Sequence, residues 1–288
     1  MLFNVYKQKD SLPMGFGDFI RGCIWCHQLS MEEGFKFEID LGHASKYFKP
    51  LHTPTSDPSK RKVHSFHNEK RDYIKEKLWI VVGQKWKYLS NYHSYIFTNS
   101  WPKYTDQSSH NGDWGYIEQA TKEFIKDRLQ PSEILLKEYE PINETYEVIH
   151  VRAGDPLSFG APPEYKAFKQ PSLKNIRNTV LGELIQIYEK TNKHILIISD
   201  SNAVKREFLK IKASFKMDRL IILDNKPEHS GVDISVNTLY DFLHLINSTK
   251  IHQMSVYEWG SGFSNVANHI YDVPMLKYDR INYNANIT

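Results

Sequence analysis

The sequence predicts an α/β protein of two domains, each built on a parallel sheet, facing one another across a cleft. Three observations carry this. From about Glu144 onward, strand and helix patterns alternate four times, as right-handed βαβ units do. The amino-terminal half runs in the same order: strand, glycine loop, helix, strand. At 288 residues the chain is long enough for two ordinary domains or one large one. The expected division is an N-terminal α/β domain over 1–140 and a C-terminal Rossmann-like domain over 141–288.

In the first half, Leu2–Tyr6 reads as a strand. It is followed by the loop Ser11-Leu12-Pro13-Met14-Gly15-Phe16-Gly17-Asp18 and a helix from Phe19 to about Glu33. Phe35–Asp40 is a second expected strand, Tyr95–Thr98 a third, and Tyr116–Leu129 a helix closed by Pro131. Residues 43–68 are rich in Pro, Ser, His and Lys and lack periodicity, so a long loop is expected there.

The second half is more regular. Tyr146–Val151 is a strand, and Leu173–Lys190 carries Leu173, Ile176, Val180, Leu184, Ile187 and Tyr188 at helical spacing. His194–Ile198 and Arg219–Leu223 are continuous apolar runs of the kind buried on both faces of a sheet. Asn202–Lys212 and Thr238–Ser248 are helical, His252–Tyr257 is a weaker strand, and Phe263–Tyr271 is a helix ended near Pro274.

Composition narrows the function classes. A hydrophobic share of 40% and a charged share of 25% describe a globular chain rather than a disordered one. A net charge of +3 gives no reason to expect a nucleic-acid partner, while leaving small anions such as nucleotides open. No apolar run approaches the ~20 residues that span a bilayer. The segment Met1–Lys7 shows no positive region followed by an apolar core, so no signal peptide is visible and a cytoplasmic protein is expected. The sequons at Asn143, Asn247 and Asn286 matter only in the secretory pathway. Cys23 and Cys26 form a Cys-x-x-Cys spacing well inside the first helix. They read as two buried small residues rather than a redox pair, and no second Cys pair completes a zinc site.

Four polar clusters fall on loops expected at the cleft. His150-Val151-Arg152-Ala153-Gly154-Asp155 lies at the carboxyl end of a buried strand, where open α/β sheets bind ligands. Its Arg152 has the planar fork that grips a phosphate with two parallel bonds. Ser199-Asp200-Ser201-Asn202 follows the next strand, with Ser201 or Asn202 also suited to cap a helix. Gly260-Ser261-Gly262-Phe263-Ser264-Asn265 pairs small residues with a helix start, an anion site strengthened by the helix dipole or simply a capped turn. Gly15-Phe16-Gly17-Asp18 is a lone Gly-x-Gly, weak by itself. An arginine and a helix start at neighbouring strand ends together suit a diphosphate.

These residues carry a family resemblance. The first cluster resembles the first signature of the GT-B fucosyltransferases that make α1,2, α1,6 and protein-O-linked fucose. Ser199-Asp200-Ser201-Asn202-Ala203-Val204-Lys205 is similar to their second signature. Thr238–Leu245 with Ser261–Asn265 resembles their third region. Gly15–Asp18 resembles their amino-terminal glycine turn, with Asp18 where Asn is common. The resemblance implies a GT-B fold and an inverting, metal-independent glycosyltransferase of glycan biosynthesis. It implies that Arg152 binds the β-phosphate of a nucleotide-sugar, that Ser264 and nearby N–H groups bind the same phosphates, that Asp241 recognises the nucleobase, and that His150 lines the pocket. The chain agrees in having no Asp-x-Asp motif for a divalent cation.

The expected donor-binding set is therefore Gly15, Gly17, His150, Arg152, Asp200, Ser201, Asp241, Ser261, Gly262, Phe263, Ser264 and Asn265, with Asp18, Arg152 and Asp155 as catalytic candidates. No metal and no cofactor are expected. GDP-fucose is the favoured donor and a glycan or glycoconjugate the acceptor. A UDP-sugar such as UDP-xylose is the alternative donor, and a non-catalytic nucleotide- or glycan-binding module the alternative class. Asp18 has two readings, general base or cap of the helix at Phe19. Asp241 likewise has two, base reader or solvated helix acid.

Overall fold

A computed structural model of the chain describes residues 1–6, 15–49, 63–66, 94–102, 114–154, 171–225 and 234–281. The chain splits into two compact units, with the division between Tyr139 and Glu140.

The amino-terminal unit contains strands β1 (Leu2–Val5), β2 (Phe37–Asp40), β3 (Val63–Phe66) and β4 (Ser94–Thr98) and helices α1 (Phe16–Glu33), α2 (Gln119–Arg128) and α3 (Glu133–Glu138). The strands pair in parallel in the order β2-β1-β4-β3. Asn4 fastens β1 to β4: its side chain accepts from Thr98 N at 3.1 Å and donates to Thr98 O at 3.2 Å. Helix α1 comes so close to the end of β4 that a Cβ on Gly22 would stand 1.9 Å from Thr98 O. Cys23 and Cys26 are buried on this helix, and burial pushes both thiols well above their ordinary range, so they are inert packing residues.

Helix α1 starts earlier than its glycines suggest. Gly15 is the N-cap, and Phe16, Gly17 and Asp18 form the first turn. Phe16, Phe19, Ile20, Cys23 and Ile24 are all buried at helical spacing, and that apolar stripe outweighs the local preference of two glycines for a loop. Asp18 is therefore not a cap, which corrects one of its two readings.

The expected 43–68 loop is also partly structured. Gly42–Tyr47 forms a 3₁₀ helix, and β3 pairs with β4; residues 50–62 lie outside the described residues. The 3₁₀ segment is held by Ala44, which is buried, and by Ser132 N donating to Tyr47 O at 2.9 Å. Long-range anchors of this kind leave no periodic trace. Helix α2 is shorter than expected, and α3, capped by Ser132, was not expected at all.

The carboxyl-terminal unit comprises β5 (Tyr146–Arg152), α4 (Leu173–Lys190), β6 (His194–Ser199), α5 (Asn202–Phe215), β7 (Leu220–Ile222), α6 (Val236–Ile246), β8 (Ile251–Ser255), α7 (Gly262–Tyr271) and β9 (Met275–Lys277). Its strands are parallel in the order β7-β6-β5-β8-β9. Alternation along β5 and β6 explains their apolar runs. Ile149, Val151, Ile195 and Ile197 join a core with Val180 and Leu184 of α4 and Phe208 of α5. Val148, Leu196 and Ile198 face the other way, toward Leu245 of α6 and Ala267 of α7. Both faces are covered, and each fully buried aliphatic side chain contributes about 1.5–3 kcal/mol. Strand β8 ends two residues before the expected Tyr257, and β9, beyond Pro274, adds an edge strand too short and too exposed to show in the sequence. From β5 the chain winds outward to β6 and β7, then crosses to β8 on the other side of β5. The carboxyl ends of β5 and β8 therefore frame a topological switch point. Among the described residues, no helix is long and apolar enough to cross a membrane.

Candidate functional site

The switch point gathers most of the polar residues singled out from the sequence. Arg152 closes β5, and its guanidinium pairs with Asp200, which follows β6. The other oxygen of Asp200 accepts from Ala153 N at 2.7 Å. One carboxylate thus fixes both the arginine and the backbone that carries it. Side-chain exposure is 18% for Arg152 and 10% for Asp200, so the fork is oriented yet reachable. The Arg152 guanidinium also lies 5.8 Å from the centroid of the Tyr257 ring.

His150, two residues earlier on β5, is buried with Nδ1 bonded to the Ser264 hydroxyl, and its ring meets Phe263 edge-on at 5.8 Å. Burial, opposed by Asp200 and assisted by Arg152, pushes its pKa down to about 4, so His150 is neutral at pH 7. A neutral imidazole carries one N–H; placed on Nδ1 it donates to Ser264 Oγ and leaves the hydroxyl proton for another acceptor.

Helix α7 begins beside these groups. Ser261 is its N-cap, yet no cap hydrogen bond comes from the Ser261 side chain. The first-turn N–H groups of Gly262, Phe263 and Ser264 are not claimed by the cap residue, and they carry the positive end of the helix dipole. The turn feeding the helix is tightly set. Gly260 has φ 76°, a left-handed conformation, and a Cβ there would stand 2.0 Å from Gln253 Oε1. Gln253 Nε2 donates to Ser261 O at 3.2 Å and to Asn265 Oδ1 at 3.5 Å. Glycine is required at 260 for both reasons.

Asp241 lies on α6, only 6% exposed. It accepts from Asn225 Nδ2 at 2.6 Å, and Lys205 Nζ donates to Asn225 O at 2.7 Å. Burial pushes the Asp241 carboxyl up to about 6, against the pull of Lys205 and the Asn225 bond. The Lys205 ammonium is itself held below its ordinary range by burial, which outweighs the attraction of Asp241 and Asp224. The reading of Asp241 as a solvated helix acid is thereby corrected. Phe242, next in the chain, packs against Phe263 at 5.9 Å and ties this network to the start of α7.

The structure thus brings together His150, Arg152, Asp200, Ser261, Gly262, Phe263, Ser264 and Asn265, with Asp241 on the adjoining helix. Ser201 belongs to the structural role: it is buried and its hydroxyl accepts from Val204 N at 3.5 Å as the cap of α5. Asp155 lies outside the described residues. Gly15, Gly17 and Asp18 belong to the amino-terminal unit. Asp18 is 44% exposed and pairs at 3.3 Å with Arg21. Arg21 in turn donates to Asn99 O at 2.8 Å and covers the Trp101 ring at 4.1 Å. Asn225 and Gln253 were not singled out, and Lys205 was named only within the second signature, with no role. Lys205 alone left a signal, a cation three residues before Phe208 on the inner face of a helix. Among the described residues, no group of three or more His, Cys, Asp or Glu is arranged to hold a metal ion.

No protein-family model and no curated protein matches the chain. Solved structures do. NodZ alpha-1,6-fucosyltransferase, soaked with GDP-fucose, is 11% identical, with 96% of this chain and 94% of that one covered and a TM-score of 0.50. FUT1 of Arabidopsis thaliana, in complex with GDP, is 11% identical over 97% of this chain and 70% of that one, with a TM-score of 0.54. POFUT1 in complex with GDP-fucose is 9% identical over 97% of both chains, with a TM-score of 0.50. At such low identity the likeness is one of fold: the chain has the GT-B fold of these fucosyltransferases.

Proposed function

We propose that this chain is an inverting, metal-independent glycosyltransferase that moves a sugar, fucose foremost, from GDP to a glycan acceptor. The observation that carries the proposal is Arg152 beside an uncapped helix start at the switch point. The neighbours' solved forms with GDP or GDP-fucose support it.

In this reading Arg152 grips the β-phosphate and steadies the diphosphate as the sugar–oxygen bond breaks. Asp200 holds the fork in position rather than touching the donor. The first-turn N–H groups of α7 and the Ser264 hydroxyl take the remaining phosphate oxygens. Leaving-group charge is thus met by fixed dipoles and one cation, the kind of preorganised stabilisation that contributes most to such transfers. His150 lines the pocket as a neutral ring. Asp241 accepts from guanine N1–H and the N2 amino group, two donors that uracil does not offer together. The amino-terminal unit supplies part of the acceptor's contacts. A carboxylate deprotonates the acceptor hydroxyl; Asp18 and Asp155 are the two candidates.

Isothermal titration against GDP, UDP and their sugars tests the donor, and release of free sugar from the preferred donor tests for an enzyme. GDP binding with donor turnover is expected. Preference for UDP would overturn the guanine reading, and binding without any turnover would leave a binding module.

A further inference from the structure

The loop between β8 and α7 holds an indole that the donor reading does not use. Trp259 is 55% exposed, and its ring lies flat on Tyr257 with centroids 4.7 Å apart and planes 11° from parallel. One face of the indole is covered by Tyr257. The loop that presents it is pinned on every side. Tyr257 N donates to Ser255 Oγ at 3.0 Å, and Ser255 Oγ donates to Gly260 O at 3.2 Å. Arg280 Nε donates to Val256 O at 2.8 Å, and its NH1 pairs with Glu258 at 3.0 Å. Gly260 N donates to Tyr257 O at 3.1 Å. A large apolar plate exposed on so constrained a loop is pre-ordered for a flat partner.

The strand order says what stands on either side. Asn225, the partner of Asp241, follows β7, whereas Tyr257 and Trp259 follow β8; Arg152, on β5, lies between them. A nucleotide-sugar with its base at Asp241 and its phosphates at Arg152 therefore directs its sugar toward the β8 loop. Tyr257 meets both the Arg152 guanidinium, 5.8 Å from its ring centroid, and the Trp259 indole, so the indole stands within one ring of the proposed phosphate site.

We propose that Trp259 is a stacking platform for an acceptor pyranose. The axial C–H bonds on one face of a β-hexopyranoside carry partial positive charge, which the electron-rich face of an indole attracts. This assignment of the acceptor side rests on the donor reading above.

The test uses the full chain with GDP present and methyl β-D-glucopyranoside and methyl β-D-galactopyranoside as probes, read by saturation-transfer NMR. The wild type should pass saturation to H1, H3 and H5 of the glucoside. Trp259→Ala should lower glycoside affinity about five-fold or more, and Trp259→Phe should retain part of it. GDP affinity should stay within about two-fold in both variants, since no donor contact is removed. Absence of transfer in the wild type, or equal transfer in Trp259→Ala, would overturn the platform. Titration with GDP-fucose separates the two possible sugars. If Trp259→Ala weakens GDP-fucose but neither GDP nor the glycosides, the plate holds the donor's own sugar and the acceptor assignment is overturned. If glycosides bind through Trp259 while GDP binds neither protein, the platform stands and the donor reading fails.

Discussion

Replacing Arg152 by alanine should separate two jobs that one side chain performs. In the free protein the guanidinium neutralises Asp200, a carboxylate only 10% exposed. Removing one partner of a fully buried ion pair costs about 3–5 kcal/mol, because the other charge is left alone. Here water reaches Arg152, and Asp200 still accepts from Ala153 N, so a loss of about 1–3 kcal/mol is expected. For a domain of this size that lowers Tm by roughly 2–4 °C per kcal/mol. The ligand effect is separate. Losing charge-assisted bonds to the β-phosphate costs about 1.5–3 kcal/mol, or roughly 10- to 150-fold in the Kd for GDP. The double variant Arg152→Ala/Asp200→Asn removes the orphaned charge while keeping an acceptor for Ala153 N. Its Tm should return toward wild type, while its GDP affinity stays low. Arg152→Lys should restore little binding, since a point charge does not reproduce the fork. Calorimetric titration with thermal unfolding measures both quantities. A GDP affinity within two-fold of wild type in Arg152→Ala would refute the site.

If Asp241 reads guanine as proposed, GDP binding should depend on pH. Its carboxyl is pushed up to about 6 by burial, and only the ionised form accepts two bonds from guanine, so affinity should rise from pH 5 to pH 7 and level off above. Stability should run the opposite way. The folded state holds this proton more tightly than the unfolded one, so the contribution is present below the ordinary carboxyl pKa and is lost as pH rises through about 6. Asp241→Asn should abolish both slopes, and a GDP affinity flat across pH 5–7 in the wild type would remove Asp241 from the base site. With phosphate charge met by Arg152 and N–H groups, turnover should persist in excess EDTA; loss on chelation with recovery on adding Mn²⁺ or Mg²⁺ would refute metal independence. Asp18→Asn should lower kcat about 100-fold or more if Asp18 is the base. Because Asp18 pairs with Arg21 rather than capping α1, its Tm should fall only slightly, and an unchanged kcat would shift the base elsewhere.

What could be read from the sequence follows physical lines. Strands β5 and β6 were legible because both faces are buried, and a short continuous apolar run bounded by turns fits a buried strand better than a helix. Helix α4 was legible because its inner face repeats over 18 residues. Strand β9 and helix α3, at three and six residues, are too short for periodicity to register. Their existence depends on neighbours distant in the chain. The site shows the same split. His150, Arg152 and Ser264 could be picked out because strand ends and helix starts are where ligands bind. That Asp200 would turn toward Arg152 was not readable, since a pairing between residues 48 apart in the chain leaves no local pattern. Tyr257 was assigned to a strand that in fact ends at Ser255, which hid the platform with Trp259. At Gly15 the local signal misled: two glycines promised a loop, and five buried apolar side chains made a helix.

Two acid–base pairings at the candidate site share one design, and it bears on how a donor would bind. In each, a side chain proposed to meet the ligand is held by a second group of opposite charge: Arg152 by Asp200, and Asp241 by Lys205 through Asn225. Leaving either ligand-facing charge buried and alone would cost several kcal/mol, so the partner lets the empty site remain folded. The same pairing cancels most of the site's charge. A diphosphate then finds little net positive charge in the side chains, and the remaining attraction has to come from the first turn of α7. Ser261 makes no side-chain bond to the start of α7, whereas Ser132, Ser172, Ser201 and Ser235 each close the start of their own helix with one. In the proposed reading, the start of α7 is where a phosphate would draw on a helix dipole.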